Sequence, residues 1–143
     1  MRPTEVVDLA LAIEDAGFDR LGISDVAFWP DCFMLLMQCG AATRRIHLGP
    51  MVTNPYTLHP VIIAAAMASL QEQSNGRGFL GIGVGAGLEP LEVDQRNPAS
   101  ALREAIIGIR QLLKGAPVQL TGEKFPIRGG HYYVPQMFLF RFL

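Results

Sequence analysis

At 143 residues the chain has the length of one domain and enough material to bury a core. Half of its residues are hydrophobic, 17% are charged and the net charge is −1. With no basic stripe and no block of like charge, this argues against nucleic acid or an anionic membrane as a partner. Apolar runs are broken by Gly, Pro or charge well short of the ~20 residues a membrane span needs, and MRPTEVVD carries acids where a signal peptide would be apolar.

In chain order, residues 4–16 place Val6, Leu9, Ala10 and Ile13 on one helical stripe, and Gly17 stands where a helix commonly stops. LGIS (21–24) reads as a short strand. Residues 30–42 read as a second helix with Pro30 in its first turn. Cys32 and Cys39 fall within it and read as small core residues rather than a disulfide or metal pair, which suits a reducing, cytoplasmic setting. RIHLG (45–49) is the next strand, residues 59–73 a third helix closed by Asn75-Gly76. GFLGIGV (78–84) is a strand of the continuous apolar kind found where both faces are covered. Asn97 and Pro98 open a fourth helix, with the stripe Leu102, Ile106, Ile109 and Leu113 and a stop at Gly115. Residues 117–143 read as a hairpin followed by an atypical tail.

Helices alternating with strands imply parallel strands joined by helical crossovers. A doubly wound sheet and a (β/α)8 barrel both fit that order. GIGVGAG (81–87) satisfies the dinucleotide-binding glycine pattern in form. That fingerprint needs a helix to begin within the turn, whereas Leu88-Glu89-Pro90 intervenes here. The expectation is an α/β fold, a partial (β/α)8 barrel of 1–143 as one domain, with parallel strands inside and helices outside.

In such a barrel the chemistry lies on the loops that follow the strands. Three follow here: Ser24-Asp25, then Met51-Val52-Thr53-Asn54, then Val84-Gly85-Ala86-Gly87. They offer an acid, a hydroxyl with an amide, and bare backbone. Each has a plainer reading. Asp25 can cap the next helix, Thr53 and Asn54 can satisfy turn backbone, and the glycines can serve close packing. His59 reads as a solvated neighbour of a helix start, and His47, between Ile46 and Leu48, as a hydrogen-bonded packing residue. No His/Cys/acid set has zinc spacing, and no nucleophile elbow or Walker-type loop is present.

AIEDAGFDRLGISD, TRRIHLGPMVTNPYTLHP, SNGRGFLGIGVGAG and LREAIIGIRQLLKG, taken in that order over residues 5–127, resemble the luciferase-like flavin and deazaflavin oxidoreductases. The F420-dependent, methylenetetrahydromethanopterin reductase-like branch is the nearest in pattern. The resemblance implies a (β/α)8 barrel, usually dimeric, whose cofactor lies across the carboxyl ends of the strands while hydride passes between its ring and a small substrate. Coenzyme F420 is the implied cofactor, with FMN, in a monooxygenase, as the alternative. It further implies a non-prolyl cis peptide at Met51–Val52 behind the ring and hydrogen bonds from Thr53 and Asn54 to the ring's polar edge. Asp25 becomes the acid near ring and substrate, and Val84 and Gly85 the backbone passing close to the cofactor.

Some positions depart from that pattern. Val26 stands where relatives often carry His, Met51 where a small residue is common, and Ala86 where an acid often acts on substrate. The chain also reads as about half a barrel, beginning inside the first helix and ending in QMFLFRFL. Two further expectations follow: self-association as a homodimer or larger assembly, through open sheet edges, and, as an alternative to catalysis, a half-barrel module that only associates with a partner.

Overall fold

A computed structural model of the chain describes residues 2–115 and 117–130; the expected tail, 136–143, lies outside the described residues. The elements run α1 (Pro3–Asp15), β1 (Arg20–Ile23), α2 (Cys32–Ala42), β2 (His47–Pro50), α3 (Pro60–Gln73), a 3-10 turn (Glu89–Leu91), α4 (Pro98–Leu112), β3 (Gln119–Leu120) and β4 (Ile127–Arg128). Strands β1 and β2 pair in parallel, Leu21 opposite Leu48 and Ile23 opposite Pro50. The short strands β3 and β4 pair antiparallel.

Helix boundaries follow local chemistry. Gly17 takes φ +86°, the left-handed backbone that ends α1. The start of α2 differs from expectation: Pro30 lies outside the helix, and Asp31 is its cap, accepting the Met34 N–H at 2.9 Å. That bond serves an amide with no partner inside the helix, which a proline in the first turn could not do. Asp25 therefore does not cap α2. His59 does cap α3, its Nδ1 accepting from Val61 N at 3.2 Å. Asn97 occupies the cap position of α4 in left-handed backbone, but its side chain makes no capping bond.

The segment 78–84 departs from the continuous strand expected. It touches β2 and the residues just after it through isolated parallel bridges, Leu48 with Gly78 and Thr53 with Ile82. Between them the first chain uses one residue more than the second, so it bulges and the regular ladder breaks. The bulge holds Met51–Val52, whose peptide bond is cis. Glycines let the two chains meet: a side chain at Gly49 would run into the Phe79 carbonyl, and a Cβ at Gly81 would lie 2.6 Å from the Pro50 carbonyl oxygen.

The helices pack in sequence, α1 on α2, α2 on α3 and α3 on α4, with α2 also against β1 and β2. Leu36, Cys39, Ile46, Leu48, Ile63, Met67 and Ile109 form the core between them. Their burial is the main favourable term holding the layers together. Cys32 and Cys39 are free thiols inside it. His47 is exposed, on the strand face away from Ile46 and Leu48, so it is not the packing residue expected. Polar clamps tie the amino ends of the strands. Arg77 donates to the Ile46, Gly40, Thr43 and Ser74 carbonyl oxygens and to Thr43 Oγ1, all within 3.0 Å. At the other flank, Phe125 packs with Ala101, Ala105 and Tyr56, while the Glu104 carboxylate accepts the Phe125 N–H at 2.6 Å.

Candidate functional site

All three loops after the parallel segments meet at one end of the molecule. Strand β1 leads into Ser24 and Asp25, the β2 bulge into Thr53 and Asn54, and the third segment into Val84 and Gly85. Ser24 Oγ donates to the Met51 carbonyl oxygen at 3.1 Å, and Met51 N donates to the Ile23 carbonyl oxygen at 2.8 Å. Thr53 Oγ1 donates to Asp25 Oδ2 at 2.6 Å, a length typical of a hydroxyl bonded to a carboxylate. Asn54 and Gly85 are also neighbours, since a Cβ at Gly85 would stand 3.2 Å from Asn54 Cβ. One continuous surface therefore contains Asp25, the bulge and the glycine-rich turn.

The residues divide into those on that surface and those behind it. Met51 and Val52 are 61% and 46% exposed and Val84 is 39% exposed. Gly22 and Gly83 flank them: Gly22 faces the Met51 side chain and Gly83 the Val52 side chain. With no side chain at either position, the Met51 and Val52 side chains pack directly onto the neighbouring backbone and present their own apolar surface outward. Asp25 is half-buried, with one carboxylate oxygen engaged by Thr53.

Thr53 sits behind the surface, whereas Asn54 gives only its side-chain oxygen to the turn. Thr53 is 0% exposed; its N–H donates to the Gly81 carbonyl oxygen at 3.0 Å and its own carbonyl accepts the Gly83 N–H at 2.9 Å. Its hydroxyl is turned to Asp25, so Thr53 supports the surface instead of lining it. Asn54 is 3% exposed, and its Oδ1 accepts the N–H groups of Tyr56 and Thr57, both at 3.0 Å. The turn-satisfying role thus takes its oxygen, and its Nδ2 remains the polar group suited to a ligand.

A residue that the sequence did not single out also joins the site. Gln95 Nε2 donates to the Val84 carbonyl oxygen at 2.7 Å, fixing the third loop from an irregular stretch where no periodicity marks it. The Cys32 thiol is pushed up to about 12, first by burial and then by the charges of Asp25 and Asp31, so it is a protonated packing group and not a nucleophile. Among the described residues no His/Cys/Asp/Glu group could hold a metal ion.

Residues 1–137 match the family described as luciferase-like monooxygenase. The chain is 39% identical over 118 residues to the 5,10-methylenetetrahydromethanopterin reductase of Archaeoglobus fulgidus, covering 81% of this chain and 36% of that protein. It is 34% identical over 137 residues to an F420-dependent glucose-6-phosphate dehydrogenase of Nakamurella multipartita, covering 86% and 40%. The solved coenzyme F420-dependent tetrahydromethanopterin reductase from Methanopyrus kandleri superposes with a TM-score of 0.88 at 30% identity, over 94% of this chain and 43% of that one. The chain therefore spans about two-fifths of the length of these relatives. Its parallel segments and outer helices form a partial (β/α)8 barrel, one of the two architectures that the element order fits.

Proposed function

This chain belongs to the luciferase-like monooxygenase family, and on that premise we propose that it is the cofactor-facing part of an oxidoreductase moving hydride between coenzyme F420 and a small organic substrate. The observation that carries the reading is the exposed apolar surface of the Met51–Val52 bulge, packed onto Gly22 and Gly83 and bordered by the Asp25 carboxylate. Those residues fit a flat, polar-edged ring: Met51, Val52 and Val84 offer exposed apolar contact, and Asp25 a polar edge. The relatives named for F420 support this cofactor over others.

When bound, the deazaflavin supplies the two-electron hydride chemistry. The chain's own groups hold and orient. Met51 and Val52 would support one face of the ring, Val84 and Gly85 would bring main chain beside it, and Asn54 Nδ2 would donate to its polar edge. Asp25, with Oδ2 held by Thr53, presents its remaining carboxylate oxygen where ring and substrate meet.

FMN is the second reading, favoured by the family's description as monooxygenases. Self-association, as a homodimer or larger assembly, belongs to the same proposal. Leu9, Phe18, Phe28, Trp29 and Ile107 are exposed apolar side chains, and among the described residues the outer edge of β1 pairs with no strand. We place the protein in the cytoplasm, in keeping with its free cysteines. Among the described residues no helix is long and apolar enough to cross a membrane.

Separate titrations of F420 and FMN, followed by their fluorescence, test the reading. Saturable F420 binding that FMN displaces poorly is expected, and Asp25→Ala should weaken it. Tighter binding of FMN would replace F420 with the flavin. Binding of neither would leave a non-catalytic half-barrel.

A further inference from the structure

We propose that Thr53 is a positioning residue for Asp25: it fixes the direction in which the carboxylate faces the ligand and does not itself touch that ligand. The inference rests on the F420 reading of this surface and assigns Thr53 a role different from ring contact. Backbone bonds, burial and one hydroxyl bond together fix this residue. The Thr53 backbone is locked through its N–H to Gly81 and through its carbonyl to Gly83, in the bridge that pairs it with Ile82. Being β-branched and fully buried, its side chain has little rotamer freedom. The hydroxyl's single proton goes to Asp25 Oδ2 at 2.6 Å, which leaves Oδ1 as the oxygen that Asp25 can turn outward.

The neighbouring bond strengthens the case. Ser24, adjacent to Asp25, donates to Met51 on one side of the bulge, while Thr53, on the other side, donates to Asp25. The two bonds run in opposite directions across the same gap. They join the end of β1 to the bulge as one unit, so the acid and the backbone that would meet the ring keep a fixed separation. A carboxylate on a loop without such a tether would rotate freely in water. Preorganisation of this kind matters most for groups that must face a ligand in one orientation.

Two measurements test the assignment. In the cofactor-free chain, the carboxyl-carbon NMR resonance of Asp25 should move in Thr53→Val and return toward its original position in Thr53→Ser, which restores the hydroxyl. In F420 titrations, Thr53→Val should weaken binding roughly tenfold and Thr53→Ser by less than about threefold, in line with a hydrogen bond to a charged group. The double variant Thr53→Val with Asp25→Asn should bind no more weakly than Asp25→Asn alone, because one residue acts through the other. A purely structural Thr53 would give losses that multiply. An Asp25 resonance indifferent to Thr53→Val, or multiplying losses, overturns the proposal. If the unmodified chain binds no F420, the functional reading falls and the Asp25 resonance alone decides the positioning.

Discussion

The Glu14 carboxylate, at the end of α1, accepts the main-chain N–H of Ile46 at 2.8 Å across 32 residues of sequence. The same carboxylate takes the N–H groups of Arg45 at 2.6 Å and Arg44 at 3.0 Å. Glu14 thereby collects three amides just before β2 begins, where the strand ladder cannot yet serve them. It sets the height at which β2 enters the sheet, and through β2 the position of the bulge at the far end.

Stability should depend on the charge of Glu14. Burial pushes its carboxyl up, but the amides of Ile46, Arg45 and Arg44, helped by the Arg45 charge, outweigh burial and hold it down to about 2 from an ordinary 4.5. A folded value below the unfolded one stabilises fully above pH 4.5 and loses that contribution as pH falls toward 2. Glu14→Gln should cost ~1–3 kcal/mol at neutral pH. It should also flatten the acid side of a melting-temperature profile. A wild-type profile already flat between those pH values would contradict the role.

Arg77 joins the end of α2, the end of α3 and the residue before β2 by donating to their carbonyl oxygens. Lysine cannot reproduce the guanidinium fork. Arg77→Lys should lower unfolding free energy by roughly 2–3 kcal/mol in urea titration, since several part-buried carbonyls lose their donor. F420 affinity, read on the folded fraction, should change little, because Arg77 lies at the opposite end from the candidate site. A large affinity loss with unchanged stability would reverse that assignment.

The helices, the parallel order and the cluster of strand ends were all legible in the sequence, because each rests on local periodicity or on the rule that loops after parallel strands share a mouth. The cis peptide at Met51–Val52 was not legible from periodicity; it came from the resemblance, and the structure contains it. GFLGIGV read as a strand because its apolar run is continuous. Gly78, Gly81 and Gly83 instead let it approach the bulge through isolated bridges. Glu14 and Arg77 carried no signal, since their partners are backbone atoms some 30 residues away. Thr53 and Asp25 were each visible as polar residues after a strand. Which would support the other depended on the bulge, whose register no spacing rule supplies.

Gly85 marks the tightest point of the third loop. It takes φ +78°, and a Cβ there would lie 2.7 Å from Leu88 Cδ1 and 3.2 Å from Asn54. Gly85→Ala should therefore destabilise by about 1–3 kcal/mol in thermal or chemical melts, from backbone strain and crowding together. It should also weaken F420 binding through the displaced Asn54. Unchanged melting in Gly85→Ala would show that the loop relaxes without cost.

The two cysteines offer a check on packing. Burial, with the nearby Asp25 and Asp31 charges, raises the Cys32 thiol, and burial raises Cys39. At pH 8 neither should react readily with a thiol reagent in the folded chain, and both should react in urea. Rapid labelling of Cys32 without denaturant would mean that the α2 start opens easily.

Amide chemical-shift mapping on addition of F420 tests most directly whether the three strand ends form one ligand surface. Shifts concentrated at Asp25, Met51, Val52, Gly83, Val84 and Gly85 are the predicted result. Shifts grouped instead around Glu14, Arg44 and Arg77, at the opposite ends of the strands, would contradict it.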